Sequence, residues 1–130
     1  MIAIRLALLH VAGGTMLGGV LLAGKAVTLP PGLWALRPLH VEMLLFGFVV
    51  QLVVGVAFWI LPRTPRRADP RPPALTLVLL NAGVGLVGLS FVAGSLAVAG
   101  RVCEGAGVAV FAVHLWPRVR AARESPGGGG

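Results

Sequence analysis

Four apolar stretches, each bounded by basic residues, prolines or glycines, set the plan of this 130-residue chain. Measured against the ~20 residues a helix needs to cross a bilayer, they fall at residues 6–24, 39–61, 74–93 and 96–116. The first lies between Arg5 and Lys25, and the second ends at Pro62-Arg63. The third follows Pro72-Pro73, and the fourth ends near Trp116-Pro117. Counting back from Trp116 puts the turn between the last two stretches at Gly94-Ser95. A turn at residues 100–104 is the alternative, but it leaves the fourth stretch too short to span. The pattern predicts an all-α integral membrane four-helix bundle. The tail at 125–130, Ser-Pro and four glycines, reads as disordered.

Composition supports the same class. The chain is 57% hydrophobic and only 12% charged, where soluble domains carry about 25% charged residues. The net charge of +7 raises the question of nucleic acid. The arginines, however, flank apolar runs instead of forming one patch with interleaved aromatics, and there is no tyrosine, which excludes a nucleic-acid surface. A single cysteine, Cys103, rules out an intrachain disulfide and reads as packing.

The basic residues also orient the chain. Arg5, Arg63, Arg66, Arg67, Arg71, Arg118, Arg120 and Arg123 all fall on one side of a four-span protein. The other side holds Lys25 and Arg37, with Arg101 within the outer third of the fourth span. The positive side is normally cytoplasmic, so both termini are expected inside and the loop at 26–38 outside. The setting implied is a bacterial or archaeal cytoplasmic membrane. That outer loop carries Pro30-Pro31-Gly32 for a turn and Trp34 as an interfacial anchor. The first stretch is longer than the 7–15 residues of a signal-peptide core and lacks a clean cleavage site, so it is expected to stay as a span.

Glycine is frequent inside the spans, and much of it repeats at four residues: Gly14 and Gly18, Thr15 and Gly19, Gly47, Gln51 and Gly55, Asn81 and Gly85. Small residues at this spacing let helices approach closely in lipid. The same spacing also makes room for a flat cofactor. Glycines alone favour packing.

Polar residues within the spans form two layers. Counted from the flanking arginines, His10 and His114 lie at similar depth near the inner end, which admits a bis-imidazole pair. Near the outer end lie His40 and Glu42, then Arg101 and Glu104, three apart on one helical face, with Arg37 just outside. His40 shares a face with Gly47, Gln51 and Gly55, closed at the inner end by Phe58 and Trp59. Ionisable groups at such depth are costly in hydrocarbon and usually functional. A neutral imidazole is a good metal and haem ligand, which makes His40 the candidate metal ligand.

The segment Leu36 to Arg66 resembles helix II of the catalytic subunit of haem-copper oxidases, nearest to the cbb3-type oxidases and bacterial nitric oxide reductases. The resemblance rests on Arg37-Pro38-Leu39-His40 at the opening, Phe46-Gly47 within, Phe58-Trp59 near the end and Pro62-Arg63 at the exit. It covers about a quarter of the chain. It implies that His40 is an axial ligand of a haem b and that Arg37 and Arg101 face haem propionates, for which arginine's fork of donors is suited. The family subunit has about twelve helices in three arcs of four, and this chain resembles one arc. The family's second low-spin haem ligand comes from a helix that this chain lacks. Three histidines on three helices cannot build a second haem-and-metal centre, so the chain is not expected to be a complete oxidase by itself.

Two functions follow. One is a small haem b membrane protein for electron transfer or handling of a diatomic gas, with Gly47 and Gln51 beside the haem face and a homo-oligomer, dimer or trimer, completing the pocket. The other is a cofactor-free accessory or assembly subunit of a respiratory membrane complex. A small transporter has little support, because no span is plainly broken.

Overall fold

The computed structural model describes residues 2–28, 30–60 and 71–124. Among these, all regular structure is helical. Helix α1 spans Ile2–Ala23. A 3₁₀ turn over Pro31–Leu36 leads into α2 (Arg37–Glu42), a π-helical segment (Met43–Val50) and α3 (Gln51–Ile60), which run end to end as one rod. Helix α4 covers Arg71–Gly88 and α5 covers Ser95–Glu124. Four helices are long and apolar enough to cross a membrane: Ile2–Ala23, Gly32–Ile60, Arg71–Gly88 and Ser95–Pro117.

The element ends differ from hydropathy in instructive ways. The second span begins at Gly32 instead of residue 39. Pro31 and Pro38 sit in the first turns of the 3₁₀ segment and of α2, where the missing N–H would have had no helical partner in any case. Pro72 and Pro73 start α4 in the same way, so it begins at Arg71 rather than 74. Helix α4 stops at Gly88 instead of 93, and residues 89–94 form the turn, with Val92 N–H bonded to the Leu89 carbonyl at 3.0 Å. Leu89, Phe91 and Val92 are apolar yet exposed in that turn, so hydropathy counts them as span. Helix α5 passes through Pro117 and ends at Glu124. A proline removes one ladder bond, and the helix resumes beyond it. The arginines at 63, 66 and 67 and the tail at 125–130 lie outside the described residues.

Small residues set the helix contacts. Antiparallel to the second span, α1 places Gly18 against His40, Gly14 against Leu44 and Met43, His10 against Gly47, and Ala3 against Gly55. The second span packs on α4, and α4 packs most extensively on α5. At the α4–α5 seam a Cβ on Gly83 would lie 2.9 Å from the Gly100 carbonyl, and one on Gly100 would lie 2.8 Å from the Gly83 carbonyl. Such close backbones are how helices gain contact in lipid, where burial of apolar surface drives little association. Gly19 and Gly85, also expected as packing positions, have no neighbour within 4 Å of a built Cβ. Helices α1 and α5 share no packed interface. The second span reaches α5 through Glu42–Arg101 and Phe58–Phe111, and α1 packs on the second span.

Candidate functional site

Two polar constructions lie near the end of the array that carries the connection after α1. They sit on opposite sides of α2, because His40 and Glu42 are two residues apart and a helix turns ~100° per residue.

His40 faces α1. Its ring edge rests on Gly18, where a Cβ would come within 2.5 Å of Cε1. Its Nδ1 lies 2.8 Å from the carbonyl oxygen of Gly14. A carbonyl can only accept, so Nδ1 carries the proton and donates, which leaves the Nε2 lone pair available. Metal-ligating histidines are held this way, the second nitrogen fixed by a backbone carbonyl. The bond also sets depth. Gly14 and Gly18 precede Ala23, the end of α1, by nine and five residues, so the ring lies roughly 8–13 Å inside that end. This is deeper than the mouth position expected from the sequence, because the second span starts at Gly32.

His40 lines two surface grooves. One, of about 280 Å³, has Gly18, Leu21 and Trp34 as walls and the cations Lys25 and Arg37 at its rim. The other, of about 310 Å³, runs along the second span past Val41, Leu44, Leu45 and Val49. Both are at the lower edge of the ~300–1,000 Å³ of pockets that enclose a small organic ligand. Each is open on one side. Arg37 is where the sequence placed it. Lys25 beside it was counted only for orientation.

Glu42 faces the other way and is fully buried, as is Glu104 of α5. Arg101 pairs with Glu42 across the helices and with Glu104 along α5, the latter at 3.5 Å. The Arg101–Glu104 spacing was legible in the sequence, whereas the bridge to Glu42 was not. Arg101 therefore directs its guanidinium at these two carboxylates, on the side of α2 away from the His40 grooves. The Glu42 and Glu104 carboxyls also face each other across the α2–α5 contact.

Gly47 and Gln51 serve packing. Gly47 is buried under the His10 ring, whose Cδ2 would lie 2.5 Å from a Cβ there. Gln51 is fully buried. Its Nε2 donates to the Ala3 carbonyl at 3.2 Å, and its Oε1 accepts from Asn81 Nδ2 at 2.9 Å. The face shared by His40, Gly47, Gln51 and Gly55 is thus the seam with α1. Phe58 turns instead toward α5, edge-on to Phe111 at 5.5 Å, and Trp59 is exposed.

His10 and His114 are not brought together. His10 sits on the α1 seam opposite Gly47, with Nδ1 bonded to the Leu6 carbonyl at 2.9 Å. His114 sits on α5 with its ring 5.9 Å from that of Phe58, roughly 15 Å further along the second span than Gly47. The flanking arginines misjudged depth because α1 starts alongside Gly55, short of the end of α3, and a long arginine stem can reach the interface from inside. Among the described residues no group of three or more His, Cys, Asp or Glu could hold a metal ion. A single axial histidine against a porphyrin needs no such group.

No family model, curated protein or solved structure matches the chain.

Proposed function

We propose that this chain is a haem b-binding integral membrane protein in which His40 supplies an axial ligand through Nε2. The observation that supports this most directly is the hydrogen bond from His40 Nδ1 to the Gly14 carbonyl. It fixes the tautomer that a haem ligand requires and orients the ring between two grooves. The groove walls are apolar, as a porphyrin face demands, and Lys25 and Arg37 at the rim suit propionate carboxylates. Bound haem would supply one-electron chemistry or a site for a diatomic gas. The protein supplies the imidazole, the apolar walls and the rim cations. The distribution of arginines argued above orients the chain with both termini inside a bacterial or archaeal cytoplasmic membrane. The His40 site then lies in the outer half.

The resemblance of residues 36–66 to helix II of the haem-copper oxidase catalytic subunit points to the same histidine. Arg101, which that resemblance would also aim at a propionate, is here assigned to Glu42 and Glu104.

The test is a reduced-minus-oxidised visible spectrum of the protein purified in mild detergent from haem-replete cells. A b-type α-band is expected in the wild type and in His114→Ala, and it is expected to vanish in His40→Ala. A folded wild-type protein without the band overturns the proposal. Loss of the band in His114→Ala with retention in His40→Ala moves the ligand to the opposite end.

A further inference from the structure

The haem reading leaves one coordination position to account for, and the chain's own geometry restricts what can fill it. His10 packs opposite Gly47, seven residues along the second span from His40, which is roughly 10 Å. Imidazole nitrogens on the two faces of one iron lie only about 4 Å apart, from metal–nitrogen bonds of about 2 Å. His114 packs on Phe58, eighteen residues along, and is farther still. The thioethers do no better. Met43 packs on Gly13 one turn from His40 on the same rod, so it cannot reach the opposite haem face. Met16 is exposed two residues from Gly18, on the side of α1 away from His40. No described His or Met of this chain can sit across a haem from His40.

The surface beside His40 has the form of a contact face. Val41, Leu45 and Val49 repeat at four residues along the second span, each about half exposed, and the groove between them and His40 is open. From these observations we infer that a second copy of this chain covers that face and that its His40 is the second axial ligand. One haem is then shared by two chains on a two-fold axis along the membrane normal. Such an axis sets the two His40 rings at one depth automatically, which no pair of histidines within one chain achieves. A two-fold contact uses the same patch on both partners, so the open groove beside His40 becomes enclosed. Each copy contributes its own Lys25 and Arg37, which line the adjoining groove on the other side of His40, a pair of cations for each of the two propionates. This rests on the haem reading above and adds to it the stoichiometry and the partner.

The experiment has two readouts. In the purified protein, haem per chain is measured by pyridine haemochrome against amino-acid analysis, and the ferric spin state by electron paramagnetic resonance. One haem for two chains and a six-coordinate low-spin signal are expected. Differently tagged wild-type and His40→Ala chains are then co-expressed and the mixed pairs isolated. In these the low-spin signal should give way to a high-spin one, whereas His10→Ala and His114→Ala pairs keep it. Separately, Leu45→Cys in a Cys103→Ala background is oxidised in membranes without regard to haem. A crosslinked pair is expected, and none from Val78→Cys on the exposed face of α4. One haem per chain, or a low-spin signal that survives in the mixed pairs, overturns the shared site while leaving haem binding intact. Crosslinking at Leu45 in a protein that takes no haem overturns the haem reading instead. Absence of the Leu45 crosslink overturns the contact face.

Discussion

The substitution Gly18→Ala isolates the contact that holds His40. A methyl group there would lie 2.5 Å from His40 Cε1, 3.0 Å from Nδ1 and 3.3 Å from Nε2. Non-bonded carbon atoms settle at about 3.5–4.0 Å, so the ring must retreat by about 1 Å. The Nδ1–Gly14 bond is 2.8 Å long, and a shift of that size takes it past the ~3.5 Å at which it stops being a hydrogen bond. Overpacking a tight site costs about 1–3 kcal/mol, and a lost hydrogen bond in a membrane helix pair adds about 0.6 kcal/mol. Replacing a helical glycine returns about 0.5–1 kcal/mol. The net expectation is a destabilisation of about 1–3 kcal/mol from these terms, read as a lower midpoint in a denaturing-detergent titration. Gly19→Ala, next door on α1 with no neighbour within 4 Å, should be neutral or slightly stabilising. The decisive comparison is the double-mutant cycle with His40→Ala. Once the ring is gone, Gly18→Ala should lose most of its cost. An undiminished cost in that background refutes the reasoning, because the clash would then not be with His40. Haem content should fall in Gly18→Ala and hold in Gly19→Ala.

Other substitutions test the rest of the array. Arg101→Ala leaves two fully buried carboxylates without their cation, whose own side chain is half exposed, so the loss should fall below the about 3–5 kcal/mol of a wholly buried pair. The triple variant with Glu42→Gln and Glu104→Gln should recover much of it in the same titration. Gly83→Val should separate α4 from α5, since even a Cβ there lies 2.9 Å from the Gly100 carbonyl, and Gly85→Val, in open space, should be tolerated. Gln51→Leu removes the bridge between Ala3 and Asn81. It should cost about 1–2 kcal/mol through the unpaired groups left behind, with Phe46→Leu as a size control. For orientation, Thr28→Cys in a Cys103→Ala background should react with an impermeant maleimide from outside the cell, and protection there would invert the topology.

The number of spans was legible because hydropathy responds to length, and lipid tolerates few other arrangements of backbone. What hydropathy missed has identifiable causes. Leu89, Phe91 and Val92 are apolar residues in a turn, and composition does not separate a turn at the interface from the last turn of a span. The π-helical segment at Met43–Val50 carries no proline or other cue, yet the Gln51 N–H reaches back to the Phe46 carbonyl, five residues instead of four. His40 and Arg37 were raised by residue type and position alone, and the structure sets both on one groove. The seam of Gly83 and Gly100 escaped because the spacing rule works within one helix, whereas the contact is between two. The Glu42–Arg101 bridge escaped for the same reason. His10 and His114 were paired by a depth estimate that treats flanking arginines as fixed markers, whereas Arg5 lies close to Ile4, which packs on Gly55.

These long-range contacts converge on one short element. Helix α2 is six residues long and is gripped from two sides. His40 is bonded to the Gly14 carbonyl on the α1 side, and Glu42 is paired with Arg101 on the α5 side. Rotating α2 about its axis breaks both bonds at once, so the pair fixes an angle that neither could fix alone. Leu39, between them, packs on Gly88 at the end of α4 and blocks sliding. The π-helical segment starts at the next residue after Glu42. Such wide turns are rare and collect at functional sites. Here the wide turn lets the remainder of the rod continue along the α1 seam while α2 keeps the orientation set by its two polar grips. The two grips are then coupled: releasing Glu42 frees α2 to turn, and the His40 ring turns with it. With haem held as proposed, Glu42→Gln in an otherwise intact protein should therefore broaden the low-spin signal and lower haem retention, though the residue touches neither groove. A spectrum identical to wild type would show that Gly14 and Gly18 hold His40 without help from the far side of the helix.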